Sequence, residues 1–172
     1  MKSRCDGQAK PALFVKKGDE LSLSGQPLKD LLRSVLDKGA SFRFRAKGFS
    51  MSPFIKDGDV VTVAPMLGTA PGRGDVVVFI HPHTGKLVTH RVVAKRADSY
   101  LIKGDNFPEG DDFVPKANIL GHVTKVERDG KEIFLGLGLE RFLIAFLTRR
   151  GLLPLLLPVW RLVRILIRRS AL

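Results

Sequence analysis

Between Ser41 and Phe134 the chain is written in short apolar runs, each opened or closed by Gly, Pro or Asp. That punctuation constrains the fold more than any other feature, because the runs are too short for stable helices and have the length of strands. The first shows the period directly: Phe42 and Phe44 alternate with Arg43 and Arg45, as in a strand with one face buried. Further runs follow at Asp59–Ala64, Asp75–Ile80, Leu87–Ala94, Ser99–Lys103 and Ile119–Glu127. A return through Lys131–Phe134 comes after Asp129-Gly130, a dipeptide that suits a tight hairpin. The spacing therefore predicts a mainly β body over residues 41–136, a folded or barrel-like sheet.

The flanks differ. Residues 1–20 read as irregular, and Leu28, Leu31, Leu32, Val35 and Leu36 then recur at helical spacing. They predict a short amphipathic helix over Pro27–Lys38, with Ser24 as its cap and Gly39 as its stop. Residues 1–40 thus form an N-terminal segment, and residues 137–172 a basic, apolar, helical tail. In the tail Leu139–Thr148 reads as a helix, Gly151–Pro158 as a proline-interrupted leucine stretch, and Val159–Arg169 as a second helix.

A chain of 172 residues can bury a real core, and a single cysteine, Cys5, excludes an internal disulfide. No zinc pattern or cofactor fingerprint is present, and His81-Pro82-His83 reads as a turn rather than a metal site. The net charge of +12 is best explained by where it lies. From Leu139 onward there are seven arginines and one acid, Glu140, set among Leu, Ile, Val, Phe and Trp. Nucleic-acid binders usually set basic residues among polar ones with exposed aromatics, so this pattern suits an anionic membrane surface better. The first twenty residues lack the continuous apolar stretch of a signal peptide. The uncharged run Gly151–Trp160 falls far short of the roughly 20 residues of a spanning helix. The expected localisation is peripheral or interfacial membrane association.

Three segments carry chemistry. Gly48-Phe49-Ser50-Met51-Ser52-Pro53 is followed by Gly58-Asp59-Val60-Val61. Then come Thr89-His90-Arg91-Val92-Val93 and Lys103-Gly104-Asp105-Asn106, with Asp111 and Asp112 shortly after. Singly each has a plain structural explanation, since Ser and Asp beside Gly or Pro are ordinary turn residues. Together they supply a hydroxyl, a base to take its proton, and an acid to orient that base, which is the requirement of acyl transfer by serine.

The four ordered boxes over about Phe42 to Lys125 resemble those of type I signal peptidases. Gly-x-Ser-Met-x-Pro with Gly-Asp-Val-Val is similar to the nucleophile box, and Gly74-Asp75-Val76-Val77-Val78-Phe79 to the strand after it. His90-Arg91-Val92-Val93 resembles the base box of the branch found in the endoplasmic reticulum and archaea, where histidine replaces lysine. Lys103-Gly104-Asp105-Asn106, a following acid and Gly121-His122-Val123 resemble the last box. The resemblance implies a serine endopeptidase that cleaves precursor proteins after small residues. It makes Ser50 the nucleophile, with its own N–H in the oxyanion hole, and His90 the general base. It implies Asp111 as the acid that orients His90, with Asp112 as the alternative, Asp105 as the partner of Arg91, and Met51 packed beneath the nucleophile. No metal or cofactor is implied. An unperturbed histidine is mostly neutral at pH 7 and so competent as a base.

The match has departures. Gly48 occupies the position where many relatives carry a hydroxyl residue, Asn106-Phe107-Pro108 replaces the usual Asn-Asn, and no stretch of the first forty residues reads as the family's N-terminal membrane anchor. Two other readings compete. One is a non-catalytic or self-cleaving regulatory module akin to the SOS repressors, which share the superfamily but use a Ser-Lys pair and carry a DNA-binding domain. The other is a basic membrane- or nucleic-acid-binding protein with a structural Ser50 loop, which explains the charge but not the ordered boxes.

Overall fold

The computed structural model describes residues 15–17, 20–22, 25–107 and 112–153, and of residues 15–17, 20–22 and 112 the backbone only. Among these residues the protein is mainly β, with one eight-stranded antiparallel sheet, a separate small hairpin and two α-helices. The hairpin, β1 (Val15–Lys17) with β2 (Glu20–Ser22), falls in a segment whose sequence reads as irregular. Its strands are three residues each, too short to display a period. Helix α1 (Gln26–Asp37) buries Leu32 and Leu36 and ends before Gly39 at φ 77°. Its N-cap position is held by Gly25, with no side-chain cap bond. The expected cap, Ser24, lies outside the described residues.

The large sheet comprises β3 (Phe42–Arg45), β4 (Val60–Pro65), β5 (Val76–Ile80), β6 (Leu87–Arg96), β7 (Ser99–Lys103), β8 (Asp112–Pro115), β9 (Ile119–Arg128) and β10 (Lys131–Glu132). Its order is β3-β4-β9-β5-β6-β7-β8, with β10 folded back onto β9 through Asp129-Gly130, both at positive φ. The predicted runs match these strands to within two residues, except that the return after Gly130 is only two residues long. Strand β8, which has no counterpart among the predicted runs, continues the sheet beyond β7.

β5 lies between two apolar layers, which is why Val76–Phe79 are all buried and show no polar alternation. Val76 and Val78 pack with Leu32 and Leu36 of α1, Met51, Ile55, Val61, Val63, Val123 and Val126. Val77 and Phe79 pack on the other side with Val92, Tyr100, Ile102 and Val114. One layer therefore joins α1 and the Ser50 loop to the sheet; the other closes β5 to β8.

Helix α2 (Arg141–Arg149) crosses β6 and buries Ile144, Ala145 and Thr148. Ile144 meets Phe54 and Leu153, and Ala145 meets Val93 and Leu101. The rest of the predicted tail, from residue 154, lies outside the described residues. Among the described residues no helix is long and apolar enough to cross a membrane.

The attachment of α2 rests on a charge. Arg91, fully buried on β6, binds Asp105 through two bonds, Nε to Oδ1 at 2.9 Å and Nη2 to Oδ2 at 2.7 Å. Its Nη1 donates to the carbonyls of Gly74 and Gly136, and the Thr148 hydroxyl of α2 donates to Asp105 Oδ1 at 3.0 Å. A buried charge left without its partner costs about 3–5 kcal/mol. Asp105→Asn should therefore lower the unfolding free energy by about that amount in denaturant melts. The double change Arg91→Met with Asp105→Asn should cost less than the sum of the two singles, because each removes the charge that strands the other.

Candidate active site

The loop that carries Ser50 is fixed at several points. The Ala46 N–H donates to the Asp59 carbonyl at 2.7 Å, and the Gly58 N–H returns to the Ala46 carbonyl at 2.9 Å, closing the loop at its base. Asp57 Oδ1 accepts the Gly48 N–H at 2.8 Å, and Gly48 has φ 93°, a conformation that suits glycine. The part of Gly48 is thus to shape the turn, its N–H being taken up by Asp57. Asp59 is buried, accepts the Lys56 N–H at 2.7 Å, and is held by Arg128 through two bonds of 2.8 and 2.7 Å. That carboxylate holds the Arg128 guanidinium above its usual pKa.

Within the loop, Met51 begins a single helical turn, its carbonyl accepting the Phe54 and Ile55 N–H groups. The Met51 side chain is buried in the α1 layer, directly after Ser50, which is only partly covered. Among the described residues nothing accepts the Ser50 or the Met51 N–H. Two adjacent amide donors are therefore left at the head of this turn.

His90 lies near the middle of β6, paired in register with Val77. It is half-buried, and its ring stands 6.1 Å from that of Phe79 at 58°. Immediately after Arg91 the β6–β7 register shifts between Val92 and Ala94, so Arg91, Val92 and Val93 are buried in succession. Such an irregularity re-aims neighbouring side chains and is common beside active sites.

The two segments meet at the third. Asn106 donates its N–H to the Ser50 carbonyl at 2.8 Å and its Nδ2 to the Phe49 carbonyl at 3.3 Å, laying the last box across the Ser50 loop. Gly104 sits at the crossing. A methyl group there would lie 2.8 Å from the Ser50 carbonyl oxygen and 3.2 Å from His90 Nε2. Ser50, His90 and Gly104 thus share one locus, although 40 residues separate the serine from the histidine in the sequence. Asp105, next in the chain, turns the other way into its buried pair with Arg91. Asp111 lies outside the described residues, and Asp112 opens β8 opposite Ile102.

Two neighbours of the locus were not singled out by sequence reasoning. Phe49 and Phe107, flanking Ser50 and Asn106, are 69% and 54% exposed. Their signal was available, as aromatic residues placed in turns that no core requires. The remaining histidines lie elsewhere. His81 Nδ1 accepts the His83 and Thr84 N–H groups of a turn, and His122 meets Met66 Sδ at 3.2 Å. Among the described residues no group of three or more His, Cys, Asp or Glu could hold a metal ion.

The contact at Gly104 generates a prediction. Gly104→Ala would drive a methyl into a backbone carbonyl, so the two crossing loops must separate. Overpacking of this kind costs about 1–3 kcal/mol. The variant should melt earlier and should lose the slow amide exchange of Asn106, whose N–H is held by Ser50; hydrogen-exchange mass spectrometry reads the latter.

Comparison with known proteins adds two findings. The family model described as Peptidase S24-like matches residues 15–124, from the first hairpin into β9. No curated protein matches the chain at a significant level.

Proposed function

Because the chain belongs to the Peptidase S24-like family, whose membership supports a serine protease or a self-cleaving regulatory module, we propose that it is a serine endopeptidase with Ser50 as nucleophile and His90 as general base. The observation that carries this reading is the close approach at Gly104, which brings the Ser50 loop and His90 Nε2 together. We propose the histidine-base signal peptidase type of chemistry, acting on precursor proteins after small residues, on the strength of the four boxes and of the residue at the base position. The family's Ser-Lys members carry lysine there, whereas here it is histidine.

In this scheme His90 Nε2 takes the proton from Ser50 Oγ as the oxygen attacks the scissile carbonyl. The negative charge that develops on the carbonyl oxygen is received by the Ser50 N–H, with the Met51 N–H as the adjacent donor. Collapse of the tetrahedral intermediate transfers the proton from His90 to the leaving amine. Water, deprotonated by His90, then attacks the acyl group, and His90 returns that proton to Ser50 Oγ as the ester bond breaks. Asp111 orients the imidazole, with Asp112 as the alternative, since a base works better when a third group fixes its tautomer. Asp105 acts at one remove, by holding Arg91 and so the strand on which His90 stands.

Purified chain is incubated with precursor peptides carrying small residues before the cleavage point, and products are read by mass spectrometry. Ser50→Ala and His90→Ala should each lower kcat/KM by orders of magnitude. The double variant should be little worse, because the two act as a unit. Cleavage at the wild-type rate by folded Ser50→Ala would overturn the assignment. Loss of full-length mass without added peptide, abolished in Ser50→Ala, would identify the self-cleaving form of the same chemistry.

The acids separate in a further measurement. Asp111→Asn should slow turnover with an unchanged melting temperature, whereas Asp105→Asn should chiefly lower the melting temperature. If Asp112→Asn slows turnover and Asp111→Asn does not, the orienting role passes to Asp112.

A further inference from the structure

Helix α2 and the turn before it lie beyond residue 124, where the family match ends. One side of α2 holds the helix to the sheet through Ile144, Ala145 and Thr148. The other carries Phe142, Leu143 and Phe146, at the spacings of three and four that place residues on one helical face, and Leu139 lies in the turn just before the helix. These apolar side chains are exposed, Leu139 at 86% and Leu143 at 61%. A contiguous apolar face of this kind on a folded protein marks a docking surface.

The charges around it decide what docks. The Arg73 and Arg150 guanidiniums lie 6.0 and 5.2 Å from the Phe146 ring centre, and that of Arg141 lies 5.0 Å from that of Phe142. The nearby acids are turned inward. Glu140 accepts the Gly136 and Gly138 N–H groups, which hold its carboxyl below the usual range, and Asp75 is paired with Arg141. The face therefore presents apolar side chains rimmed by cations. Beyond residue 153 the sequence continues in the same composition, Leu, Ile, Val and Trp with Arg161, Arg164, Arg168 and Arg169, and contains no acid. Apolar side chains that enter the acyl boundary while arginines reach the headgroups are the chemistry of an anionic lipid surface.

We propose that the outer face of α2, with Leu139 of the turn before it, docks the protein on an anionic phospholipid bilayer without crossing it. Thr148 of the same helix bonds Asp105, one residue from Gly104, so the docked face and the Ser50 locus belong to one packed unit. The bilayer then sets the height at which a chain emerging from the membrane surface meets that locus. The docking itself does not depend on the proposed proteolysis.

The test is co-flotation of the full chain with vesicles of equal phosphatidylglycerol and phosphatidylcholine, and with vesicles of phosphatidylcholine alone. The wild type should float with the former and remain below with the latter. Leu139→Asp with Leu143→Asp should weaken binding about tenfold or more at an unchanged melting temperature, since both positions are exposed in the free protein. The milder Leu139→Ser with Leu143→Ser tests the same point should the first variant melt early. Arg73→Glu with Arg150→Glu should reduce the preference for the anionic vesicles and the sensitivity of binding to salt. Failure of the wild type to float overturns the proposal. So does equal flotation of the wild type and the folded Leu139/Leu143 variants, which would leave binding to the chain after residue 153 alone. A wild-type dimer that these variants convert to monomer, without vesicle binding, assigns the face to a second copy and likewise overturns it.

Discussion

The buried pair of Arg91 and Asp105 is the interaction on which the remaining architecture depends. Arg91 is fully buried, and every polar edge of its guanidinium that faces the protein has an acceptor: the two Asp105 oxygens and the carbonyls of Gly74 and Gly136. Those partners come from three places, the loop before β5, the end of β7 and the turn before α2, and they meet Arg91 on strand β6. A cation in the interior has to be satisfied from all sides, so four chain segments must arrive together for the fold to close. The ring of Phe54, 5.6 Å from the guanidinium carbon, brings in the Ser50 loop as well. A purely apolar cluster at this point would tolerate sliding between segments; directed bonds do not.

This explains how the Ser50 loop can sit at the surface and still be positioned. Ser50, partly covered, depends on Met51 buried below, on Asp57 and Asp59 at the loop base, and on Asn106 laid across its carbonyl. His90 depends on β6, whose next residue is Arg91. The serine and histidine are therefore held by neighbours that are themselves buried or paired, as a preorganised site requires. The same arrangement couples α2 to the site, since Thr148 completes the bonding of Asp105.

Much of the body was legible because its strands obey local rules. Alternation, as at Phe42–Arg45, and the Asp129-Gly130 turn report strand and hairpin directly. α1 reports itself through leucines at helical spacing. The parts that were not legible lack such signals. The β1–β2 hairpin is too short to show a period, and the N-terminus of α1 uses Gly25 where sequence logic favours a side-chain cap. β8 pairs onto β7 through backbone bonds, so its side chains show little of its place. Phe49 and Phe107 read as loop residues until the two loops are seen to cross.

The sequence by itself determined the β character, the order of the boxes that hold Ser50, His90 and Asp105, and a basic, apolar C-terminal third. These follow from periodicity, turn chemistry and composition, which are properties of neighbouring residues. Only the tertiary structure decided that Gly104 wedges between the Ser50 carbonyl and His90 Nε2, that Asp105 turns away from them to neutralise Arg91, and that α2 buries one apolar side while exposing the other. Each of these is a contact between segments distant in the chain. Such contacts depend on which groups compete for the same buried space and the same hydrogen-bond acceptors, and that competition exists only once the sheet has closed.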